Sequence, residues 1–315
     1  MQIKQWIADQ SLSKVNTGQI KFIKTTASFL LVQLLTLSAC QPQKSTQNIS
    51  EQQASGIIGG SQVQNNADPL ARKMIYLAVD VVIEKTAFGT RATQKELCTA
   101  TALTTKILLT AAHCVQGRKP DQLKAVLSLN PWDHLIEPNE WVDLESITIH
   151  PNYIDANNQI KNDIALIKLA KEIPSERISQ LATTNQFNTS TPVILAGYGS
   201  TSPLNNQPSP YTYGSMLNKV TKSFEQYNPR SDLFSINQND MKGICRGDSG
   251  GAAFIYDPST KDYYIIGINS YVSIRLSEEQ QLDPENQYNA CIGHGNFSNA
   301  IYFKPWISET LKSLQ

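Results

Sequence analysis

Seven short apolar runs, each bounded by turn-forming residues, constrain this chain more than any other feature. They are MIYLAVDVVI (74–83), KILLTAA (106–112), KAVLSL (124–129), DIALIKL (163–169), PVILAGYG (192–199), GAAFIY (251–256) and YYIIGINSYV (263–272). Each is strand-length and rich in β-branched or aromatic residues, and the segments between them carry Asn, Pro, Ser and Gly. A helical period emerges only at the end. There FKPWISETLKSLQ (303–315) sets Ile307, Leu311 and Leu314 on one face, after Pro305. The pattern predicts an all-β body closed by one terminal helix, with no repeat at a fixed period. Hydrophobic residues make up 40% of the chain and charged residues 17%, enough to bury a core. Formal net charge is zero, so nothing points to a nucleic-acid partner.

The first residues read as an address rather than as fold. Lys14, Lys21 and Lys24 precede ASFLLVQLLTL (27–37), an apolar run of signal-peptide length and too short to span a bilayer. LSAC (37–40) follows and resembles the lipobox of bacterial lipoproteins, which implies cleavage after residue 39 and lipid on Cys40. Residues 41–56, QPQKSTQNISEQQASG, are dominated by Gln, Ser and Asn and read as a disordered tether. Fully extended, such a tether reaches at most about 55 Å. The expected organisation is therefore a signal peptide over 1–39, a lipidated cysteine with tether and propeptide over 40–56, and a folded domain over 57–315. The expected location is outside the cytoplasm, anchored to a bacterial envelope membrane or released from it, where disulfides persist.

The chain has five cysteines: Cys40, Cys98, Cys114, Cys245 and Cys291. With Cys40 lipidated, four remain, enough for two disulfides. No C-x-x-C or H-x-x-x-H pair exists, which argues against zinc.

The chemistry centres on GICRGDSGG (243–251). Gly, Asp and Ser are ordinary turn residues, so a surface turn is one reading. The other is that the glycines admit a substrate close to the backbone and Ser249 attacks it. A serine hydroxyl needs a base within reach and a third group to orient that base. Four histidines are available. His113 follows the apolar run LLTAA and immediately precedes Cys114, a rigid position beside a disulfide. His150 in HPNY reads as a turn residue, and His134 and His294 sit in polar sequence. Asp163 opens an apolar strand, where an unpaired charge is expensive, so it is the best orienting carboxylate. A cap at the strand's start is its bland alternative. GDSGG also fits the nucleophile elbow of α/β-hydrolases, G-x-S-x-G. Those enzymes order their triad Ser, acid, His. Here only His294 follows Ser249, and strand–helix alternation is absent.

IIGG (57–60), TAAHC (110–114), NDIALIKL (162–169), GDSGG (247–251) and NSYV (269–272) stand in the order found in trypsin-like serine proteases of the chymotrypsin fold, and the chain resembles that family from about residue 57 to 315. The resemblance implies two six-stranded antiparallel β-barrels with the active site in the cleft between them and a C-terminal α-helix. It implies a serine endopeptidase with His113 as general base, Asp163 as its orienter and Ser249 as nucleophile. The N–H groups of Gly247 and Ser249 would form the oxyanion hole. It pairs Cys98 with Cys114, and Cys245 with Cys291. It implies a zymogen in which cleavage before Ile57 frees an ammonium that pairs with Asp248. Gly56 precedes that bond, so an activator of tryptic specificity is not expected.

The same resemblance assigns the specificity pocket to Gly243 at its base, with Ile244, Ser270, Val272 and Ala300 around it. Gly243 supplies no carboxylate, which disfavours basic side chains, and Val272 narrows the slot. Small or medium apolar side chains are the expected preference, with Arg246 at the rim. The segment SIRLSEEQQLDPENQYNA (273–290) is an insertion beside this pocket. No cofactor or metal is expected. The expected partners are protein or peptide substrates, an activating protease and, through Cys40, a membrane. The protein is expected to be a monomer. With no cysteine between 41 and 56, activation would also detach the domain from its anchor. The alternative is a protease-fold binding lipoprotein without turnover.

Overall fold

The computed structural model describes residues 57–65, 67–86, 89–129, 131, 140–156, 159–184, 186–200, 216–274 and 291–314, with backbone alone at 86 and 89–93. The expected signal segment, Cys40, the tether with Gly56, His134 and residues 275–290 of the insertion lie outside the described residues.

Six strands form a closed antiparallel barrel. In chain order they are β2 (Met74–Val79), β5 (Glu96–Ala102), β6 (Ile107–Thr110), β7 (Leu123–Val126), β8 (Trp141–Ile149) and β11 (Ala165–Leu169), joined in the ring order β11-β6-β5-β2-β7-β8. A short helix α1 (Leu70–Lys73) leads into β2. Two hairpins stand outside the ring, β3 (Val82–Thr86) with β4 (Gly89–Thr93), and β9 (Ile154–Ala156) with β10 (Gln159–Lys161). All six residues of β2 are buried, because the strand has barrel interior on one face and packed chain on the other. Burying each large aliphatic side chain of this kind contributes about 1.5–3 kcal/mol. The run 74–83 does not continue as one strand. Asp80 takes a left-handed conformation, φ 53°, which breaks the ladder between β2 and β3.

The second half carries an eight-stranded sheet: β1 (Ser61–Gln62), β12 (Gln180–Leu181), β13 (Val193–Gly197), β14 (Asn218–Lys222), β15 (Leu233–Asn237), β16 (Ala252–Asp257), β17 (Asp262–Ser273) and β18 (His294–Asn299). Six of them form a continuous antiparallel ribbon in the order β14-β13-β16-β17-β18-β15. Its two ends meet where Gln226, just past β14, bridges to Ser235 of β15. β1 adds to β14, and β12 pairs in parallel with β17. The body is thus all-β and built of two barrels.

Helix α2 (Lys304–Leu314) closes the chain on the first barrel. Ile307 is fully buried, and Trp306, Leu311 and Leu314 pack on the same core. His150 lies between Phe303 and Trp306, its ring 5.3 and 4.9 Å from theirs, and is a packing residue at the turn after β8. Among the described residues no helix is long and apolar enough to cross a membrane.

Candidate active site

His113, Asp163 and Ser249 are brought to one place by three adjacent strands of the first barrel. His113 follows β6. Asp163 precedes β11, which pairs with β6. The carbonyl of Ser249 accepts the amide of Thr99, on β5, at 2.8 Å. The disulfide Cys98–Cys114 ties β5 to the residue after His113, with Cα atoms 6.1 Å apart. The Cys114 sulfur lies 3.7 Å from His113 Nε2 and 3.6 Å from the Ser249 carbonyl oxygen, so both flank one sulfur atom.

Asp163 is fully buried, and its carboxylate is almost saturated. Oδ1 accepts the backbone N–H of His113 at 2.9 Å. Oδ2 faces His113 Nδ1 at 2.8 Å and also accepts the hydroxyl of Ser270. The Asp163 carbonyl accepts Ser298 Oγ at 2.8 Å. Both serines come from the second barrel, so the carboxylate is held from both sides of the cleft. Burial pushes the Asp163 carboxyl up, but hydrogen bonds from His113 and Ser270 and the charge of His113 outweigh it and hold it below the usual carboxylate value. For His113, burial works against the charged form, while the hydrogen bond and charge of Asp163, helped by Asp155, more than offset it. The imidazole is therefore more basic than an ordinary histidine. With Nδ1 turned to a carboxylate, Nε2 is left to exchange a proton.

The turn 245–251 is set by its own residues. The Asp248 amide donates to the Cys245 carbonyl at 3.1 Å, and the Gly251 amide donates to the Asp248 carbonyl at 3.0 Å. Gly250, at φ 80°, passes so close to the first barrel that a Cβ there would sit 2.1 Å from Thr110 Oγ1 and 2.4 Å from the Thr99 carbonyl. Asn269 on β17 braces the turn: its side-chain amide donates to the Asp248 carbonyl at 2.9 Å, and its carbonyl accepts the Gly250 amide at 2.8 Å. Among the described residues, the amides of Gly247 and Ser249 and the Ser249 hydroxyl have no hydrogen-bond partner.

Ile57 and Asp248 are both fully buried and meet. Asp248 accepts three backbone amides, from Gly199 at 2.8 Å, Cys245 at 2.8 Å and Ile57. Burial pushes its carboxyl up to about 7, because those amides offset only part of the desolvation and, among the described residues, no cation faces it. Ile57 sits at φ 61°, a conformation that a β-branched residue adopts only under constraint. Ile58 and Gly243 exchange both backbone hydrogen bonds at 3.0 Å, which docks this segment against the loop before Cys245.

The residues expected around the pocket separate into groups. Gly243 and Ile244 lie together, and the disulfide Cys245–Cys291 joins the next residue to the start of β18's approach, Cα atoms 5.1 Å apart. Val272 on β17 pairs with Gly295 on β18. Ser270 is buried and spends its hydroxyl on Asp163 rather than on the pocket. Ala300 does not stand beside Val272. It lies beyond the end of β18, fully buried, with its amide on the Ile266 carbonyl at 3.1 Å, and the residue paired with Val272 is Gly295. Fixing that position requires the β17–β18 register, which the insertion 273–290 hides in the sequence. Cys98, His113 and Cys114 bring metal-ligating atoms within 4.8 Å of one another, but both sulfurs are joined in disulfide and offer no thiolate.

Comparison with known proteins agrees with this geometry. The family profile described as Trypsin matches residues 78–289. The chain is 27% identical over 209 residues to phenoloxidase-activating factor 3 of Holotrichia diomphalia, covering 56% of this chain and 57% of that protein. It is 29% identical over 192 residues to venom serine protease 34 of Apis mellifera, covering 56% of this chain and 46% of that protein. It is 25% identical over 243 residues to chymotrypsin-like elastase family member 1 of Rattus norvegicus, covering 73% of this chain and 83% of that protein. The chain thus spans about half the length of the first two relatives and most of the third. It belongs to the trypsin family.

Proposed function

We propose that the protein hydrolyses peptide bonds through an acyl-enzyme, with Ser249 as nucleophile, His113 as general base and acid, and Asp163 as the group that orients His113. The carrying observation is the buried Asp163 carboxylate facing His113 Nδ1 at 2.8 Å while accepting the His113 amide at 2.9 Å. These two contacts fix the ring's tautomer and rotation. Ser249 Oγ attacks the scissile carbonyl carbon as its proton passes to His113 Nε2. The oxygen becomes an oxyanion that the unused amides of Gly247 and Ser249 can receive. The C–N bond then breaks, and the amine leaves with the proton from Nε2. Water repeats the sequence on the acyl ester, and Ser249 recovers its proton. Each oxyanion donor is worth about 10²–10³ in turnover.

The chain is made as a zymogen cut before Ile57, and the new ammonium supplies the cation that Asp248 lacks. The burial of Asp248 with three amides and, among the described residues, no positive charge supports this reading. The precursor is exported and lipidated on Cys40, so the cut also releases the domain as a soluble, monomeric protease. The substrates are proteins or peptides, and the side chain before the scissile bond is small or medium and apolar, since Gly243 brings no carboxylate to the pocket's base.

The test is hydrolysis of a peptide amide with alanine before the scissile bond, by the protein cut before Ile57 and by its Ser249→Ala variant cut at the same bond. The expected result is turnover that falls at least about 10³-fold in the variant. Equal rates in both would overturn the reading.

A further inference from the structure

Gln238 is the residue that sequence reasoning passed over. It follows β15, is fully buried, and lies beneath the loop that begins at Gly243. Its Oε1 accepts the Ile244 amide at 2.8 Å. Its Nε2 donates to the Ile244 carbonyl at 3.1 Å and the Cys291 carbonyl at 3.0 Å. Both amide protons are therefore spent, and the group is locked in one orientation. Its backbone is pinned as well, with the Gln238 amide on the Gly293 carbonyl at 2.7 Å.

The amide also occupies a defined volume. A Cβ on Gly243 would sit 2.2 Å from Oε1, and a Cβ on Gly295 would sit 2.4 Å from the same atom. One oxygen is thus wedged between the two glycines, and Gly295 pairs with Val272 across β17–β18. The amide thereby fills the space beside Gly243 and Gly295 that a side chain on either residue, or any other group, would need. The amide is uncharged, and its protons face protein carbonyls, so the floor offers a cationic side chain no counter-charge and a hydrogen-bond-accepting side chain no donor.

We propose that Gln238 is a specificity-determining residue: its buried amide forms the floor of the substrate pocket and limits it to small, uncharged side chains. This rests on the endopeptidase reading given above. The glycines at 243 and 295 make room for the amide rather than for a larger substrate group. The pocket's shallowness then comes from a residue outside the GDSGG segment, in addition to Val272 at the wall.

The experiment uses protein expressed and exported as the full chain, cut before Ile57 and confirmed by intact mass to begin there, with active sites counted by a fluorophosphonate. The kcat/KM ratio of a substrate with leucine before the scissile bond to one with alanine is measured for wild type, Gln238→Ala, Gln238→Asn and Gln238→Met. Discrimination by one or a few methylene groups is worth about 10–200-fold. Removing the floor is therefore expected to raise the leucine-to-alanine ratio at least about tenfold in Gln238→Ala and in the same direction in Gln238→Asn. Gln238→Met refills the volume without the hydrogen bonds and keeps a ratio near wild type. A merely structural role would lower the count of active sites and leave the ratio alone. Should Gln238→Ala not fold, Gln238→Asn, which keeps an amide on a shorter stem, carries the test. A ratio unchanged in both, or shifted as far by Gln238→Met, would overturn the proposal while leaving the enzyme. A folded wild type that neither takes the fluorophosphonate nor cleaves either substrate would sink the endopeptidase reading, and the proposal with it.

Discussion

The hydroxyl of Ser270, on β17 of the second barrel, donates to the carboxylate of Asp163 at the rim of the first. The same Oδ2 faces His113 Nδ1 at 2.8 Å. The orientation of the histidine is therefore tied to the relative placement of the two barrels. Hydrogen bonds to a charged group contribute about 1.5–3 kcal/mol. Ser270→Ala is expected to lower kcat about ten- to a hundredfold with KM little changed, because the loss falls on the proton-transfer geometry. Steady-state kinetics on an alanine substrate check this, and an unchanged kcat would show that the contact is dispensable.

The pH profile follows from His113. Its pKa is raised above 6.5, and only the neutral imidazole can take the serine's proton. Activity is therefore expected to disappear as pH falls through a value above 6.5. In Asp163→Asn the hydrogen bond to a charge and the attraction both vanish, leaving burial to favour the neutral ring. The acid limb should move to lower pH, and kcat should fall about 10⁴-fold. For stability the signs differ by group. The raised His113 contributes stability that is present below 6.5 and lost as pH rises through its folded pKa. The depressed Asp163 contributes stability that is present above 3.8 and lost as pH falls through its own. Kinetics and denaturation across pH 3–9 read both.

Asp248 marks the state of the chain's processing. In the uncut chain its carboxyl stands near 7 against 3.8 unfolded, so the folded form holds the extra proton between those values. Stability is then expected to fall as pH rises from about 4 to 7, by up to about 4 kcal/mol, and to level off above. An Asp248→Asn uncut chain should lose that slope. A chain beginning at Ile57 carries an ammonium beside the carboxylate and should keep Asp248 ionised at neutral pH. Urea unfolding of the three proteins at pH 4.5 and 7.5 separates them, and parallel pH curves for the uncut chain and its Asp248→Asn variant would contradict the assignment.

The disulfide Cys98–Cys114 closes a loop with a sequence separation of 16. A loop of this size is worth about 3 kcal/mol in chain entropy. Cys98→Ser with Cys114→Ser is expected to lower Tm by about 6–12 °C. It should also reduce kcat, because the Cys114 sulfur separates His113 Nε2 from the Ser249 carbonyl. A lowered Tm with wild-type kcat would confine the bridge to stability.

The legible part of this molecule is its local part. All seven apolar runs contain strands, and the terminal helix stands where its period predicts. Asp163 could be singled out because a charge at the head of an apolar strand demands a partner. Strands β8 and β18 were not legible. β8 mixes Asp, Glu, Ser and Thr into WVDLESITI, and β18, HGNFSN, has no apolar run although His294, Ser298 and Asn299 are buried. Buried polar groups of β18 are satisfied by distant neighbours, such as Glu225 Oε2, 2.6 Å from His294 Nδ1, and the Asp163 carbonyl, which accepts Ser298. Gln238 and Gly295 likewise have partners far along the chain, Cys291 and Val272, that enter only once β17 and β18 are brought together. The pairing of Val272 with Gly295 rather than with Ala300 was hidden for that reason, since the insertion conceals the register.

The central claim is that Ser249 is a nucleophile activated by His113 and Asp163. It is tested most directly by reacting the domain beginning at Ile57 with a serine-directed fluorophosphonate and reading the intact mass. The account predicts one phosphonyl group per molecule on the wild-type domain and none on Ser249→Ala, with a large loss of labelling rate in His113→Ala. A folded wild-type domain that stays unlabelled, or a Ser249→Ala domain that labels as fast as wild type, would contradict it.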